Sequence, residues 1–300
     1  MVDPISPKQT PGIENGTWEV DWKLYGDQIL DNIPQGVNMV NVFVGGFDAS
    51  NKFQIDSRSD FDKVIPPSSR YYDPKNPKET YLQKFVEECH AKGIAVKMSL
   101  GGSGGWCGNT WDVLNSQGVQ FCADTLVAFC KANHLDGVDF DFEEWNQPNQ
   151  AALEQKVGAL IKEVKNQDPS LQTSLCTNAG FATWKEHIQN ILDASKDSSG
   201  HCGIDRLYIM SYYDPLQKEE SAVGQWAKWL ETTYHFSPSQ ISVGIDNVDS
   251  HAYDITEFAK WAKSQGYSTC YWAWAYNGNP ASSNESTNAI WNIYHTVEKQ

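Results

Sequence analysis

Two hydrophobic periodicities take turns along nearly the whole chain, and that alternation constrains the fold more than any single motif. Apolar runs with strand character fall at 16–22, 37–47, 95–101, 137–143, 172–178, 206–213, 240–246 and 269–276. Amphipathic stretches fall at 25–32, 81–91, 117–133, 151–166, 184–194, 221–234, 256–265 and 286–297. Strand then helix, eight times over, predicts parallel strands, because each helix must carry the chain back along the sheet before the next strand begins. Eight such units suit an α/β fold closed as a single (β/α)8 TIM barrel; an open doubly wound sheet is the alternative, and the count favours closure. Three hundred residues, 40% of them apolar, are enough for one large core. No linker, low-complexity tract or internal repeat divides the chain. The expectation is a barrel over residues 16–300, preceded by a flexible arm over residues 1–15, which hold three prolines.

Such a barrel carries its functional residues where the strands end. The third run ends in Ser99-Leu-Gly-Gly-Ser-Gly-Gly-Trp106, the fourth in Asp136-Gly-Val-Asp-Phe-Asp-Phe-Glu143, the sixth in Met210-Ser-Tyr-Tyr-Asp214 and the eighth in Trp272-Ala-Trp-Ala-Tyr-Asn277. On a strand, Asp139, Asp141 and Glu143 share one face, while Val138, Phe140 and Phe142 point the other way, towards helices. Three carboxylates in a row repel each other and cost folding free energy. Such a ladder suits a site that holds a cation or moves a proton at a raised pKa. The cation reading is the weaker one: no matching set of Asp or His stands at other strand ends, calcium-loop spacing is absent, and the seven histidines are scattered. No metal is expected. Glu144 is one step out of phase, so it reads as solvated or salt-bridged.

A formal net charge of −15 and a pI near 4.8 argue against nucleic acid or an anionic membrane surface as partner. No apolar run reaches the ~18–20 residues of a membrane span. Twelve Trp, thirteen Tyr and twelve Phe exceed what a core needs, and Trp in loops suits stacking on sugar rings. Trp106, Trp111 and Trp145 follow strand ends and read equally well as outer sugar platforms or as loop packing. Seven cysteines without a Cys-x-x-Cys pair read as buried thiols with few or no disulfides, with Cys107–Cys202 and Cys122–Cys130 left open. The first ten residues lack the basic and apolar regions of a signal peptide. Either a standard export signal is missing or it has been lost, and the compartment stays open. The Asn-x-Ser/Thr matches at Asn15 and Asn284 are too common to decide it.

The strand-end residues together resemble glycoside hydrolase family 18, the chitinases and related endo-β-N-acetylglucosaminidases. The family's strand-four signature, Asp-Gly-x-Asp-x-Asp-x-Glu, is matched in full by Asp136, Gly137, Asp139, Asp141 and Glu143, and its Ser-x-Gly-Gly by Ser99, Gly101 and Gly102. Weaker matches are Asn41-Val42-Phe43 in strand two, Met210-x-Tyr212 in strand six and Trp274-Ala-Tyr-Asn277 in strand eight. The resemblance spans nearly the whole chain and implies a substrate-assisted, retaining mechanism. By that resemblance Glu143 is the general acid, Asp141 orients the substrate's 2-acetamido group, Asp139 tunes Asp141, and Tyr212 donates to the acetamido oxygen. Trp274 forms the hydrophobic floor under the sugar, Gly102 leaves room beside the acids, and Met210, Phe43, Tyr213, Asp214 and Trp106 are further substrate contacts. No cofactor is implied. The expected partner is chitin or N-acetylglucosamine oligosaccharides, with the chain acting as a monomer or as a subunit of a larger assembly.

Two departures stand out. Strand six reads Met-Ser-Tyr-Tyr-Asp where the family has Met-x-Tyr-Asp, so either Tyr213 replaces the acid or a one-residue bulge moves Asp214 into its place. Strand one has Thr17 before Trp18 where the family commonly has Tyr. Glu143, whose loss marks lectin-like members, is present. Only residues 247–255 separate strand seven from the next helix, too few for the α+β insertion that walls the groove in many members. That predicts an open cleft suited to endo-acting cleavage. The expected activity is therefore an endo-acting chitinase, with an endo-β-N-acetylglucosaminidase or a non-hydrolytic chitin-binding subunit as alternatives.

Overall fold

The structure, a computed structural model, describes residues 12–20, 25–31, 33, 36–56, 59–102, 109–145, 147–246 and 254–273, with the backbone alone for 17–20, 246, 272 and 273. The strands in chain order are β1 (Asn15–Val20), β2 (Met39–Phe47), β3 (Phe53–Ile55), β4 (Ala95–Gly101), β5 (Gly137–Asp141), β6 (Gln172–Asn178), β7 (Arg206–Met210), β8 (Ile241–Asp246) and β9 (Ser268–Ala273). All but β3 are parallel, and β1 bonds to β2 on one side and β9 on the other, which closes an eight-stranded barrel. The helices α1 (Gln28–Asp31), α2 (Tyr81–Ala91), α3 (Thr110–Gln117), α4 (Val119–Ala132), α5 (Gln150–Gln167), α6 (Phe181–Ala194), α7 (Leu216–Tyr234) and α8 (Ile255–Ser264) fill the connections. The (β/α)8 barrel read from the alternation is the observed fold. No insertion domain interrupts it, since residues 247–254 alone lie between β8 and α8.

The outer faces of the strands build the main core. Val96, Met98 and Leu100 of β4, and Val138 and Phe140 of β5 with Phe142 beyond it, are fully buried beneath the helices. Those helices present Leu82, Phe85 and Val86 (α2), Leu126 and Val127 (α4), and Val157, Leu160 and Ile161 (α5). At the start of α2, Thr80 and Gln83 form a reciprocal capping box, each side chain accepting the other's backbone N–H.

Several boundaries differ from the sequence reading. The fourth run ends at Asp141 rather than 143 and the sixth at Met210 rather than 213. The last β4–β5 pair is Gly101 with Asp141, sealed by Gly102 N–H donating to Asp141 O at 2.7 Å. The short β3, antiparallel to the end of β2, and the separate α3 were not anticipated. The helix expected at 286–297 lies outside the described residues. β1 begins at Asn15, and Glu14 before it is buried, its N–H donating to Ser268 Oγ at 2.8 Å. The Asn15 side chain is likewise buried and bonded to Gly36 O, which leaves that glycosylation match inaccessible in the folded chain.

Candidate active site

The strand register assembles the acids. Asp139 lies beside Ser99 of β4 and Ser174 of β6. Both hydroxyls donate to it, Ser99 Oγ to Oδ2 at 2.9 Å and Ser174 Oγ to Oδ1 at 2.6 Å, and the Cys176 thiol lies against both oxygens. One layer below, Gly137 has no room for a side chain: a Cβ there would sit 2.0 Å from Gln172 O. Asp136, the first acid of the signature, is at the opposite end of the strand. Its Oδ2 accepts from Val96 N–H at 2.7 Å and lies 2.8 Å from His90 Nε2, so it braces the start of β4.

Asp141, at the end of β5, is 4% exposed. Burial, then the charges of Glu143 and Asp139, hold its pKa well above the usual carboxylate range. Its Oδ1 is buried and has no hydrogen-bond partner among the described residues. Gly102, at φ +89°, packs beside it; a Cβ there would stand 2.7 Å from Phe43 Cζ and 3.6 Å from Asp141 Oδ2. Gly101, at φ +117°, would place a Cβ 2.2 Å from Asp141 O. Glycine at both positions is therefore required by close approach and by backbone conformation together. Phe43 lies where β2 shifts register against β4, between Phe43 and Gly45, and packs with Cys176, Tyr208, Cys270 and Met210 inside the barrel. Glu143 follows the last ladder pair and is half-buried.

Beyond β7, Tyr212 is buried and Tyr213 is 74% exposed, with their rings edge to face at 5.8 Å. The backbone N–H groups of Tyr213 and Asp214 both donate to Glu219 Oε1, at 3.1 and 2.9 Å. Burial raises the pKa of Glu219. Asp214 turns to Lys218, 2.7 Å away on the first turn of α7.

The structure brings together Asp139, Asp141, Gly102 and Phe43, with Glu143 and Met210 on the same strand ends. Trp106 and Trp274 lie outside the described residues. Trp111 and Trp145, read as platforms or packing, are packing: both meet the Phe142 ring edge to face, at 5.0 and 5.1 Å, and Trp111 is buried. Cys89, Cys122, Cys130, Cys176 and Cys270 are buried as expected, and Cys202 is half-buried. Glu144 accepts from Gln147 Nε2 at 3.0 Å. Among the described residues no group of three His, Cys, Asp or Glu side chains is arranged to hold a metal ion.

Missed by the sequence reading was the polar floor of the barrel. Lys97 is 1% exposed, and its Nζ donates to Ser174 Oγ at 2.9 Å and to Tyr208 OH at 2.7 Å. Tyr208 OH donates to Glu14, which forms an ion pair with Arg206 at 3.0 Å. Arg206 also reaches Ser268 Oγ and the Gly12 carbonyl. The signal was present: Lys97 stands two residues before Ser99 in an apolar strand, so both point inward.

Comparison of the sequence with protein-family models and with curated proteins finds no match. Solved structures match over nearly the whole chain. A GH18 chitinase from Pseudoalteromonas aurantia is 19% identical with TM-score 0.63, covering 95% of this chain and 100% of that one. The active domain 2 of a thermostable chitinase from Pyrococcus furiosus, solved as catalytic-site mutants with chito-oligosaccharides, is 11% identical with TM-score 0.66 and 98% coverage of each chain. A chitinase-like agglutinin from Robinia pseudoacacia is also similar, at 13% identity and TM-score 0.58, covering 93% of this chain and 99% of that one. At these identities the likeness establishes a shared fold.

Proposed function

We propose that this chain is a family 18 type glycoside hydrolase, an endo-acting chitinase that cuts β-1,4 linkages between N-acetylglucosamine units with retention. The observation that carries the reading is the acid ladder as built: Asp139 held by two hydroxyls, Asp141 buried at a raised pKa with an open Oδ1, and Glu143 at the rim. Glu143 protonates the leaving glycosidic oxygen. The substrate's own acetamido carbonyl oxygen attacks the anomeric carbon and forms a cyclic oxazolinium ion. Asp141 takes the acetamido N–H on its open oxygen and offsets the positive charge that develops beside it. Water then attacks the anomeric carbon, giving its proton to Glu143 and restoring the acetamido group. Tyr212 steadies the acetamido oxygen, while Phe43, Met210 and the exposed Tyr213 contact the sugars, with Trp274 as their floor. The short β8–α8 connection supports endo action, because it has too few residues to carry an inserted domain.

A second reading, sugar binding without turnover, is favoured by one observation: the agglutinin shares this fold. An endo-β-N-acetylglucosaminidase would use the same ladder. Mass spectrometry of products from chitin oligosaccharides and from a free N-glycan, wild type beside Glu143→Gln, separates all three. The expected result is short oligosaccharides from the chitin substrate and a loss of turnover of ~10²-fold or more in the variant. Cleavage of the N-glycan alone would point to the glycan-core enzyme. Binding without cleavage of either would overturn the hydrolase reading.

A further inference from the structure

The acid ladder stands over a buried cation that the sequence signature does not include. Lys97 Nζ sits one hydroxyl away from Asp139, since Ser174 Oγ accepts from it at 2.9 Å and donates to Asp139 Oδ1 at 2.6 Å. A lysine this buried is costly unless a counter-charge lies near. Its other contacts, the Tyr208 hydroxyl at 2.7 Å and the Tyr208 ring at 4.6 Å, carry no full charge.

Among the described side chains, a count of the charges facing the barrel interior gives the partner. Glu14, before β1, is answered by Arg206 of β7 at 3.0 Å. From β7, β6 and β9 come Tyr208, Cys176 and Cys270, all pushed further from ionisation by burial. β2 and β8 contribute the uncharged Asn41 and Gly244. β5 itself contributes Asp139, Asp141 and Glu143. Lys97 is left to answer Asp139, and among the described side chains no further cation faces Asp141.

We infer that Lys97 is a positioning residue: acting through Ser174, it fixes the negative charge of the Asp139–Asp141 pair on Asp139 and keeps the pair's proton on Asp141, beside Glu143. The consequence for turnover rests on the hydrolase reading; the placement of charge does not. A cation there lets the pair hold one proton over a wide pH range and delays uptake of the second. Without it the pair becomes doubly protonated at higher pH, and Asp141 can no longer answer positive charge on the substrate.

The test is the pH–rate profile of Lys97→Gln and Lys97→Met on chitin oligosaccharides, with Lys97→Arg as the conservative variant. In the neutral variants the acid limb should move up by about one pH unit or more, the alkaline limb should stay, and Lys97→Arg should keep the wild-type acid limb. A folded Lys97→Gln with the wild-type acid limb would overturn the inference. Where the neutral variants do not fold, Ser174→Ala and Ser99→Ala decide it. Each removes one hydroxyl from Asp139, but only Ser174 leads to Lys97, so equal shifts in the two would also overturn it. A carbon-13 NMR titration of the aspartate carboxyls in the free protein reads the same proton uptake without any turnover. A wild type that cleaves nothing would thus sink the hydrolase reading while this titration still decides on Lys97.

Discussion

The lower and upper halves of the barrel interior are built from the same kinds of residue and balanced in opposite ways. Below, towards the strand starts, Glu14 meets Arg206, Lys97 meets Tyr208 and Ser174, and one serine hydroxyl and two backbone carbonyls take the remaining donors. Above, three acids crowd one strand, and burial beside Glu143 and Asp139 raises the pKa of Asp141 well above the usual carboxylate range. Buried charge is tolerated below because it is paired. Above, the acids outnumber the one cation that reaches them, Lys97 through Ser174, where a substrate would bring further positive charge. The cost in stability and the capacity for chemistry therefore sit in the same few residues.

The largest way to break this contrast is at the bottom. Arg206→Met leaves Glu14 buried without its cation, and urea unfolding should show a loss of about 3–5 kcal/mol. Glu143→Gln, at the half-buried rim, should move stability by no more than about 0.5 kcal/mol. Similar losses from both would erase the distinction between the halves.

Asp141→Asn sharpens the contrast from above, with turnover falling ~10²-fold or more and stability moving the other way. The folded protein binds the Asp141 proton more tightly than the unfolded chain does. That contribution is complete below the unfolded pKa of about 3.9 and is lost as pH rises towards the raised folded value. Asn has no proton to lose. The variant's advantage in thermal unfolding should grow with pH across that window, by about 1.4 kcal/mol for each unit of elevation. A difference that stays flat with pH would contradict the raised pKa. The smallest effect is expected outside the barrel. Tyr213→Ala should raise KM by about three- to tenfold, the worth of one aromatic contact, and leave kcat unchanged. A fall in kcat instead would place Tyr213 in the chemistry.

The barrel was legible because parallel strands buried on the helix side alternate visibly with amphipathic helices. The ladder was legible because Asp139, Asp141 and Glu143 keep strict period two. Strand ends were not, since a ladder stops where the neighbouring strand stops, as at Gly101 beside Asp141. α3 escaped because its eight residues, stopped at Gly118, are too few to show a helical period clearly, and the helical reading began only at 117. Asp136, the first acid of the signature, falls out of the period-two ladder, and its carboxylate braces β4 instead. Lys97 was passed over because a single lysine in an apolar strand reads as an edge or surface residue until closure of the sheet puts it inside.

The join between β1 and β9 governs how such a chain can be made. Asn15 lies opposite Thr269, and Glu14 is tied to Ser268, 254 residues away. During synthesis the first strand leaves the ribosome long before its second neighbour exists. Until then β1 and β8 are edges of an open, curved sheet, each with a row of backbone groups able to recruit a stranger. The ring therefore becomes a ring only once β9 has been made, and until then the nascent chain is in the form most exposed to mispairing.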